Sequence, residues 1–366
     1  MVAKFGTNLL TGGTDSLDIP LMTIIAEQIA LLHSKGQEII IVSSGAVAAG
    51  RQKLGMEKKH KDVPFKQVLA AVGQNRLMQT YEQIFEKYNI PVAQALLTKN
   101  DLNNRAGYLN ARNTLLSLLE LGVICIVNEN DVVATDEIGG ARFGDNDNLS
   151  ALVANLVDAD ILAILTDIDG LYTADPLHNP KAKLISKVET IDNRIQRFAS
   201  KTTSSRGIGG MVTKIEAAKL ATACGITVVI AGGRHPDALL RINSGENLGT
   251  MFPPHTSKLE SRKRWIISGL ASRGRLFLDE GAALALQKYN RSLLPAGIIG
   301  VEGKFQRGDV VDIVDQNGNH IGCGMTNYSS KELAVIKGAQ SAAIATILGY
   351  EYGGEVVHRN NMALLC

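Results

Sequence analysis

Val127-Asn-Glu-Asn-Asp131 and, further on, Phe143-Gly-Asp-Asn-Asp-Asn-Leu-Ser150 form the segment around which the chain is organised. The apolar run of residues 123–127 enters this segment, and an apolar helical pattern over residues 149–157 leaves it. Amides and carboxylates at the end of a strand, beside the start of a helix, can bind a small polar ligand. Because Asn, Asp and Gly also favour turns and helix caps, the segment alone leaves both interpretations open.

Length and composition predict a soluble protein of two domains. The 366 residues exceed one typical domain, and 45% of them are hydrophobic and 20% charged. The net charge of +2 gives no bias toward nucleic acid or membrane surfaces. Four widely spaced cysteines, at positions 125, 224, 323 and 366, predict reduced thiols rather than a metal site or disulfides. With no signal-peptide pattern and no apolar run near about 18 residues, we expect a cytoplasmic protein without membrane contact.

Apolar β-branched runs alternate with helical patterns up to residue 255. The predicted strands are residues 38–42, 92–98, 123–127, 161–166, 226–231 and a short edge strand at 249–252. The predicted helices are residues 17–35, 66–87, 107–121, 149–157 and 215–223. This alternation predicts an α/β fold with a mostly parallel sheet sandwiched between helices.

The Pro253-Pro254 pair, followed by a charged run, predicts a domain boundary. We therefore expect an α/β domain over residues 1–255, a linker over 256–264 and a second domain over 265–366. The second domain changes to short apolar runs between Gly, Asn and Asp turns, with an Asn-Gly hairpin signal at 317–318. Such a pattern is typical of a small, mostly β domain of barrel type.

Three polar positions lie where predicted strands end. Lys4 precedes Gly6, so its ammonium group can reach phosphate oxygens, and a solvated N-terminal lysine is the alternative. Ser44 lies in a Ser/Gly turn between a strand and a helix, a layout that binds anions and that also caps helices. Asp167 lies at the carboxyl end of a strand, where ligands of open α/β sheets bind. The long loop after it predicts a nucleotide contact, with a simple turn as the alternative.

Residues 200–214 are dense in Gly, Ser and Thr and precede a helical pattern. The Gly209-Gly210 pair allows the backbone to approach a ligand closely. Lys214 lies in the first turn of the helix, where a cation opposes the helix dipole, so we expect a stabilising anion such as phosphate beside it. A mobile linker with a solvated lysine is the alternative.

In their order along the chain, these segments resemble the amino acid kinase family. The matching stretches are Lys4-Phe-Gly-Thr7, Val42-Ser-Ser-Gly-Ala46, Val127-Asn-Glu-Asn-Asp131, Gly144-Asp-Asn-Asp-Asn-Leu-Ser-Ala151, Leu165-Thr-Asp167, Gly170-Leu-Tyr-Thr-Ala-Asp-Pro176 and Gly209-Gly-Met-Val-Thr-Lys214. Residues 265–366 resemble the PUA domain, named for pseudouridine synthases and archaeosine transglycosylases. Its matching stretches are Arg262-Lys-Arg-Trp265, Ser292-Leu-Leu-Pro-Ala-Gly297, Phe305-Gln-Arg-Gly308 and Ile347-Leu-Gly-Tyr350. Two departures from the family pattern are the few residues before Lys4 and an insertion over residues 139–142.

The resemblance implies transfer of the γ-phosphate of ATP to the side-chain carboxylate of L-glutamate, giving L-glutamyl 5-phosphate, the first step of proline biosynthesis. A carboxylate is already an anionic nucleophile at neutral pH, so no general base is required. Lys4 and Lys214 would stabilise the transferring phosphoryl group, and Asp147 would hold both lysines in place. Mg²⁺ would bridge the ATP phosphates, held mainly by them and by water, with no protein ligand assigned.

The resemblance also implies which residues bind the two substrates. Glutamate is expected to contact Ser44, Asp131 and Asn146. Asp131 would accept from the α-ammonium group, and Ser44 and Asn146 would donate to carboxylate oxygens. The residues expected to contact ATP are Lys4, Thr166, Asp167, Ile208, Gly209, Gly210, Met211, Val212, Thr213 and Lys214.

Partners and alternatives follow from the same resemblance. Proline is expected as a feedback inhibitor overlapping the glutamate site, and the protein is expected to form a homo-oligomer, either a dimer or a tetramer. The family also phosphorylates other carboxylates, carbamate and UMP, although Asp131 argues against acetylglutamate, which has no ammonium group. PUA modules often bind RNA, so an RNA-binding protein is a second alternative, which the net charge of +2 disfavours.

Overall fold

A computed structural model describes residues 1–56, 62–134, 146–201, 210–255 and 272–364. The chain divides into two compact units. The larger comprises Met1–Leu102 with Ala111–Ser257, and the smaller comprises Asn103–Asn110 with Lys258–Cys366. The expected linker over 256–264 and the expected insertion over 139–142 lie outside the described residues.

Within the part of the chain that the structure describes, seven strands of the larger unit form one sheet. The strands are β1 (Val2–Phe5), β2 (Ile40–Ser43), β3 (Val92–Leu97), β4 (Ile124–Glu129), β5 (Ile161–Thr166), β6 (Thr227–Gly232) and β7 (Thr250–Phe252). Their order is β3-β4-β2-β1-β5-β6-β7, and the neighbours pair in parallel except for the antiparallel edge strand β7. The prediction of a mostly parallel sheet with a short edge strand is confirmed. The first strand, although few residues precede it, lies at the centre of the sheet.

Helices alternate with these strands along the chain. They are α1 (Thr7–Thr11), α2 (Ile19–Ser34), α3 (Ala46–Lys53), α4 (Val63–Glu86), α5 (Lys99–Asn103), α6 (Arg105–Glu120), α7 (Asn146–Leu156), α8 (Asn193–Lys201), α9 (Met211–Ala223) and α10 (Ala238–Asn243). The buried core joins apolar residues of the central strands to those of α2 and α4. Helices cover the central strands of the sheet, so these strands read as continuous apolar runs rather than as alternating ones.

Helices α3 and α4 approach each other closely at two glycines. A Cβ atom on Gly73 would lie 1.8 Å from the carbonyl oxygen of Ala46, and one on Gly50 would lie 1.9 Å from that of Leu69. Real Cβ atoms do not tolerate such distances, so glycine is required at both positions. This packing fixes the turn before α3, which contains Ser44, against α4.

The smaller unit contains a separate sheet with the strand order β12-β11-β10-β8-β9. Its described elements are β8 (Gly274–Leu278), α11 (Glu280–Tyr289), β9 (Ile298–Gly303), β10 (Val310–Val314), β11 (His320–Met325), α12 (Ser330–Ile336), α13 (Ile344–Leu348) and β12 (Met362–Leu364). The predicted hairpin joins β10 to β11, where Asp315 Oδ1 accepts from the backbone N–H groups of Asn317 and Asn319. The three helices, which the sequence pattern did not predict, contribute to the core of this unit.

No helix among the described residues combines the length and the apolar character needed to cross a membrane.

Candidate active site

Two lysines from distant parts of the chain meet one carboxylate. Lys4 lies on the central strand β1, Asp147 in the first turn of α7, and Lys214 in the first turn of α9. Lys4 Nζ is 2.5 Å from Asp147 Oδ1, and Lys214 Nζ is 3.1 Å from Asp147 Oδ2. All three side chains are buried. Two ammonium groups and one carboxylate together carry one net positive charge, and such a group of side chains attracts anions.

Asp147 is held by contacts on both helices. Thr213 Oγ donates to Asp147 Oδ2 at 2.8 Å, and Ser150 Oγ donates to the Asp147 carbonyl oxygen at 2.6 Å. A carboxylate in the first turn of α7 is favourable with the helix dipole, whereas a lysine in the first turn of α9 is unfavourable. The anion expected beside Lys214 is therefore supplied, at least in part, by Asp147 from the protein itself.

The Asn146 side chain joins the ends of β2 and β4. Its Nδ2 atom donates to the Ser43 carbonyl oxygen at 2.9 Å, to Ser44 Oγ at 3.0 Å and to Asn128 Oδ1 at 2.9 Å. The buried Oδ1 atoms of Asn146 and Asn148 have no hydrogen-bond partner among the described residues. Asn146 therefore offers an acceptor to a ligand. This arrangement differs from the expectation that Asn146 donates to a carboxylate, because backbone and side-chain acceptors already surround its amide nitrogen.

Tyr81 on α4 fixes the turn that contains Ser44. Its hydroxyl oxygen lies 2.9 Å from Ser43 Oγ, and Ser43 Oγ donates to the Ser44 carbonyl oxygen. Either hydroxyl group of the Ser43–Tyr81 pair can be the donor. Burial raises the pKa of Tyr81, so the phenol keeps its proton.

A cavity of about 330 Å³ lies beside this network, between α4 and the ends of β3 and β4. Asp131, half-buried, lines it together with Gln74, Asn75, Glu129 and Asn130. The structure thus brings Ser44 and Asn146 into direct contact and places Asp131 in this cavity. Gln74 connects the two places, because its Oε1 atom accepts from Asn128 Nδ2 at 2.8 Å.

The predicted nucleotide contacts lie on two elements. Thr166 Oγ donates to Asp167 Oδ1 at 2.9 Å at the carboxyl end of β5, and Asn8 Nδ2 donates to Asp167 Oδ2 at 3.1 Å. Helix α7 packs against both β5 and α9.

At the start of α9, Gly210 is the N-cap residue in an extended conformation. The predicted contacts that follow it form the first helical turn, namely Met211, Val212, Thr213 and Lys214. The predicted contacts Ile208 and Gly209 lie outside the described residues, as does Asp145 beside Asn146.

Sequence reasoning missed Gln74, Tyr81 and Asn8. A signal for Gln74 was present, because Gly73 interrupts a long helical pattern and two amides follow it. A glycine within a helix often marks close packing or a functional position. Tyr81 and Asn8 carry no comparable signal, because only the tertiary fold brings them to their partners.

The fold and this site define the class of the protein. A sequence model of the amino acid kinase family matches residues 1–232, and a model of the PUA domain matches residues 274–348. The chain belongs to the amino acid kinase family, which confirms the resemblance.

More particular similarities extend over the whole chain. A protein named Glutamate 5-kinase from Dehalococcoides mccartyi (strain CBDB1) is 55% identical, covering 100% of this chain and 98% of the relative. A second protein of that name, from Herpetosiphon aurantiacus, is 53% identical, covering 99% of this chain and 97% of the relative. Among solved structures, UMP kinase from Bacillus anthracis is 18% identical with a TM-score of 0.48, covering 70% of this chain and 96% of that one.

Proposed function

We propose that the protein transfers the γ-phosphoryl group of ATP to the side-chain carboxylate of L-glutamate, giving L-glutamyl 5-phosphate and ADP as the first step of proline biosynthesis. Full-length similarity to two proteins named Glutamate 5-kinase supports the choice of substrate. The observation that carries the chemistry is the convergence of Lys4 and Lys214 on Asp147.

The reaction brings two anions together. A carboxylate oxygen forms a bond to the γ-phosphorus while the bond to the bridging oxygen of ADP breaks. The nucleophile is already ionised at neutral pH, so the protein must supply charge neutralisation and in-line positioning rather than a base. Lys4 and Lys214 flank the transferring group and stabilise charge on its oxygens. Asp147 keeps both ammonium groups in position before the substrates bind, so little reorganisation is needed during the reaction.

Glutamate lies between the Ser44 turn and the Asp131 cavity. Ser44 Oγ accepts from Asn146, which leaves its own proton to donate to a substrate carboxylate. Asp131 accepts from the α-ammonium group, and the buried Asn146 Oδ1 is a second acceptor for it. An ammonium group with several acceptors is bound more selectively than one with a single acceptor.

ATP contacts Thr166 and Asp167 at the end of β5, and residues Ile208, Gly209, Gly210, Met211, Val212, Thr213 and Lys214. Among the described residues, no cluster of three His, Cys, Asp or Glu side chains could hold a metal ion. Mg²⁺ usually keeps phosphate and water ligands, so it would be held mainly by the ATP phosphates and by water. When bound, the ion neutralises phosphate charge that the lysines would otherwise face alone.

Proline acts as a competitive inhibitor at the glutamate site, because it carries the same α-carboxylate and ammonium groups. Competition is tested by the effect of proline on the KM for glutamate. The family resemblance also implies a homo-oligomer, which light scattering on the full chain tests.

The function is tested with ATP, Mg²⁺ and a panel of acceptors: glutamate, aspartate, acetylglutamate, carbamate and UMP. ADP release reports turnover, and hydroxylamine converts an acyl phosphate into a hydroxamate. We expect glutamate to give both signals with the highest kcat/KM of the panel. A higher kcat/KM for another acceptor, or ADP release that does not depend on glutamate, would contradict the proposal.

A further inference from the structure

We infer that Gln74 is a specificity-determining residue whose side-chain amide donates to the α-carboxylate of the amino-acid substrate. The inference rests on the proposed function. It adds a residue that binds the α-carboxylate, the group that an α-amino acid has and a simple amine lacks.

The orientation of the Gln74 amide follows from backbone contacts at two other amides. Asn146 Nδ2 donates to the Ser43 carbonyl oxygen, and the backbone N–H of Glu129 donates to Asn128 Oδ1 at 2.9 Å. A carbonyl can only accept and an N–H can only donate, so neither side chain can be flipped. Asn128 must therefore present Nδ2 to Gln74, which accepts through Oε1 and directs Nε2 away from this network.

Gln74 Nε2 is a buried donor without a hydrogen-bond partner among the described residues. Buried polar groups in native proteins are nearly always paired, so such a donor indicates a missing ligand or water. The same residue lines the cavity of about 330 Å³ that also contains Asp131. A volume of this size is within the range of small-molecule sites.

The two side chains have complementary chemistry for a zwitterion. Asp131 is an acceptor suited to an ammonium group, and Gln74 is a neutral donor suited to a carboxylate. A neutral amide can donate to the substrate's α-carboxylate without forming an ion pair with Glu129 or Asp131, whose carboxylates line the same cavity. Gln74 also follows Gly73, whose contact with Ala46 fixes this turn of α4, so the amide is positioned before the substrate binds.

Gln74→Glu is the sharpest variant, because it keeps the acceptor for Asn128 and replaces only the donor by an anion. We expect its KM for glutamate to rise about 10- to 100-fold, as for loss of a hydrogen bond to a charged group, with kcat within about threefold. The probe that lacks the α-carboxylate is 4-aminobutyrate, used as a competitor of glutamate, and its inhibition constant should change less than about twofold. Gln79→Glu, at an exposed position of α4, is the matched control and should leave both constants unchanged.

Gln74→Met lacks both donor and acceptor, and it serves as a second test variant if Gln74→Glu is poorly folded. It should also weaken the binding of glutamate more than the binding of 4-aminobutyrate. An unchanged KM for glutamate in a folded variant would show that the amide binds only water and would overturn the inference. Equal weakening of glutamate and 4-aminobutyrate would overturn it as well, because it would indicate a purely structural role. Wild-type protein without glutamate-dependent ADP release would instead refute the proposed function itself.

Discussion

Asp147→Asn and Lys214→Met should both lose activity, but only Asp147→Asn should lose much stability. Asp147→Asn keeps the shape of the side chain but removes the one carboxylate that lies 2.5 Å from Lys4 Nζ and 3.1 Å from Lys214 Nζ. Two buried ammonium groups then lose the anion that they share. Lys214→Met removes one cation instead, and leaves Lys4 and Asp147 as a pair of equal and opposite charges.

The expected magnitudes follow from the burial of all three side chains. Breaking a buried ion pair by removing one partner costs about 3–5 kcal/mol. Spread over a domain of this size, that loss lowers the melting temperature by roughly 6–20 °C. For Lys214→Met the remaining pair is balanced and an apolar side chain of similar length fills the space, so we expect a loss below about 1 kcal/mol. Both variants should lose about 10²-fold or more in kcat, as for other positioned charge donors.

Thermal unfolding without ligands measures the melting temperature, and glutamate-dependent ADP release measures kcat. Glu216→Gln, which removes a charge at an exposed position of α9, is the control and should leave both nearly unchanged. Equal destabilisation by Asp147→Asn and Lys214→Met would refute the assignment of one carboxylate to two cations. Near-normal kcat in Lys214→Met would remove that lysine from catalysis.

Three further changes test other parts of the molecule. Asp131→Asn should raise the KM for glutamate about 10-fold with little effect on kcat, and an unchanged KM would mean that the ammonium group binds elsewhere. Gly73→Ala should cost about 1–3 kcal/mol in a denaturation experiment, because its Cβ atom would lie 1.8 Å from the Ala46 carbonyl oxygen, and wild-type stability would contradict that packing. Burial raises the pKa of Cys125 to about 12, so its thiol is protonated at pH 8 and iodoacetamide should label it only after unfolding; rapid labelling of the folded protein, seen by mass spectrometry, would contradict its burial.

Most of the sheet could be predicted from sequence because its central strands are buried and therefore carry a simple signal. Residues 161–166 are a continuous apolar run, and they form β5 with the predicted bounds. The edge strand β7 was also predictable, because Thr250–Phe252 is a short apolar run between Gly249 and two prolines. Short helices such as α1 and α10, of five and six residues, span too few turns to show a helical period.

The candidate site was predictable at the level of single residues but not of their hydrogen bonds. Lys4 and Lys214 stood out because a lysine at a strand end and one in a first helical turn both require explanation. The convergence on Asp147 was implied by the family resemblance, since no local pattern reports a contact between distant segments. The direction of the Asn146 amide is set by the Ser43 carbonyl oxygen, a backbone group that sequence alone cannot place.

A crystal structure with glutamate and a non-hydrolysable ATP analogue would test directly whether both lysines contact the phosphoryl group that is transferred. We expect Lys4 Nζ and Lys214 Nζ each to lie about 3 Å from oxygens of the terminal phosphate, with the glutamate side-chain carboxylate in line with the bond that breaks. A terminal phosphate bound out of reach of both ammonium groups would contradict the mechanism.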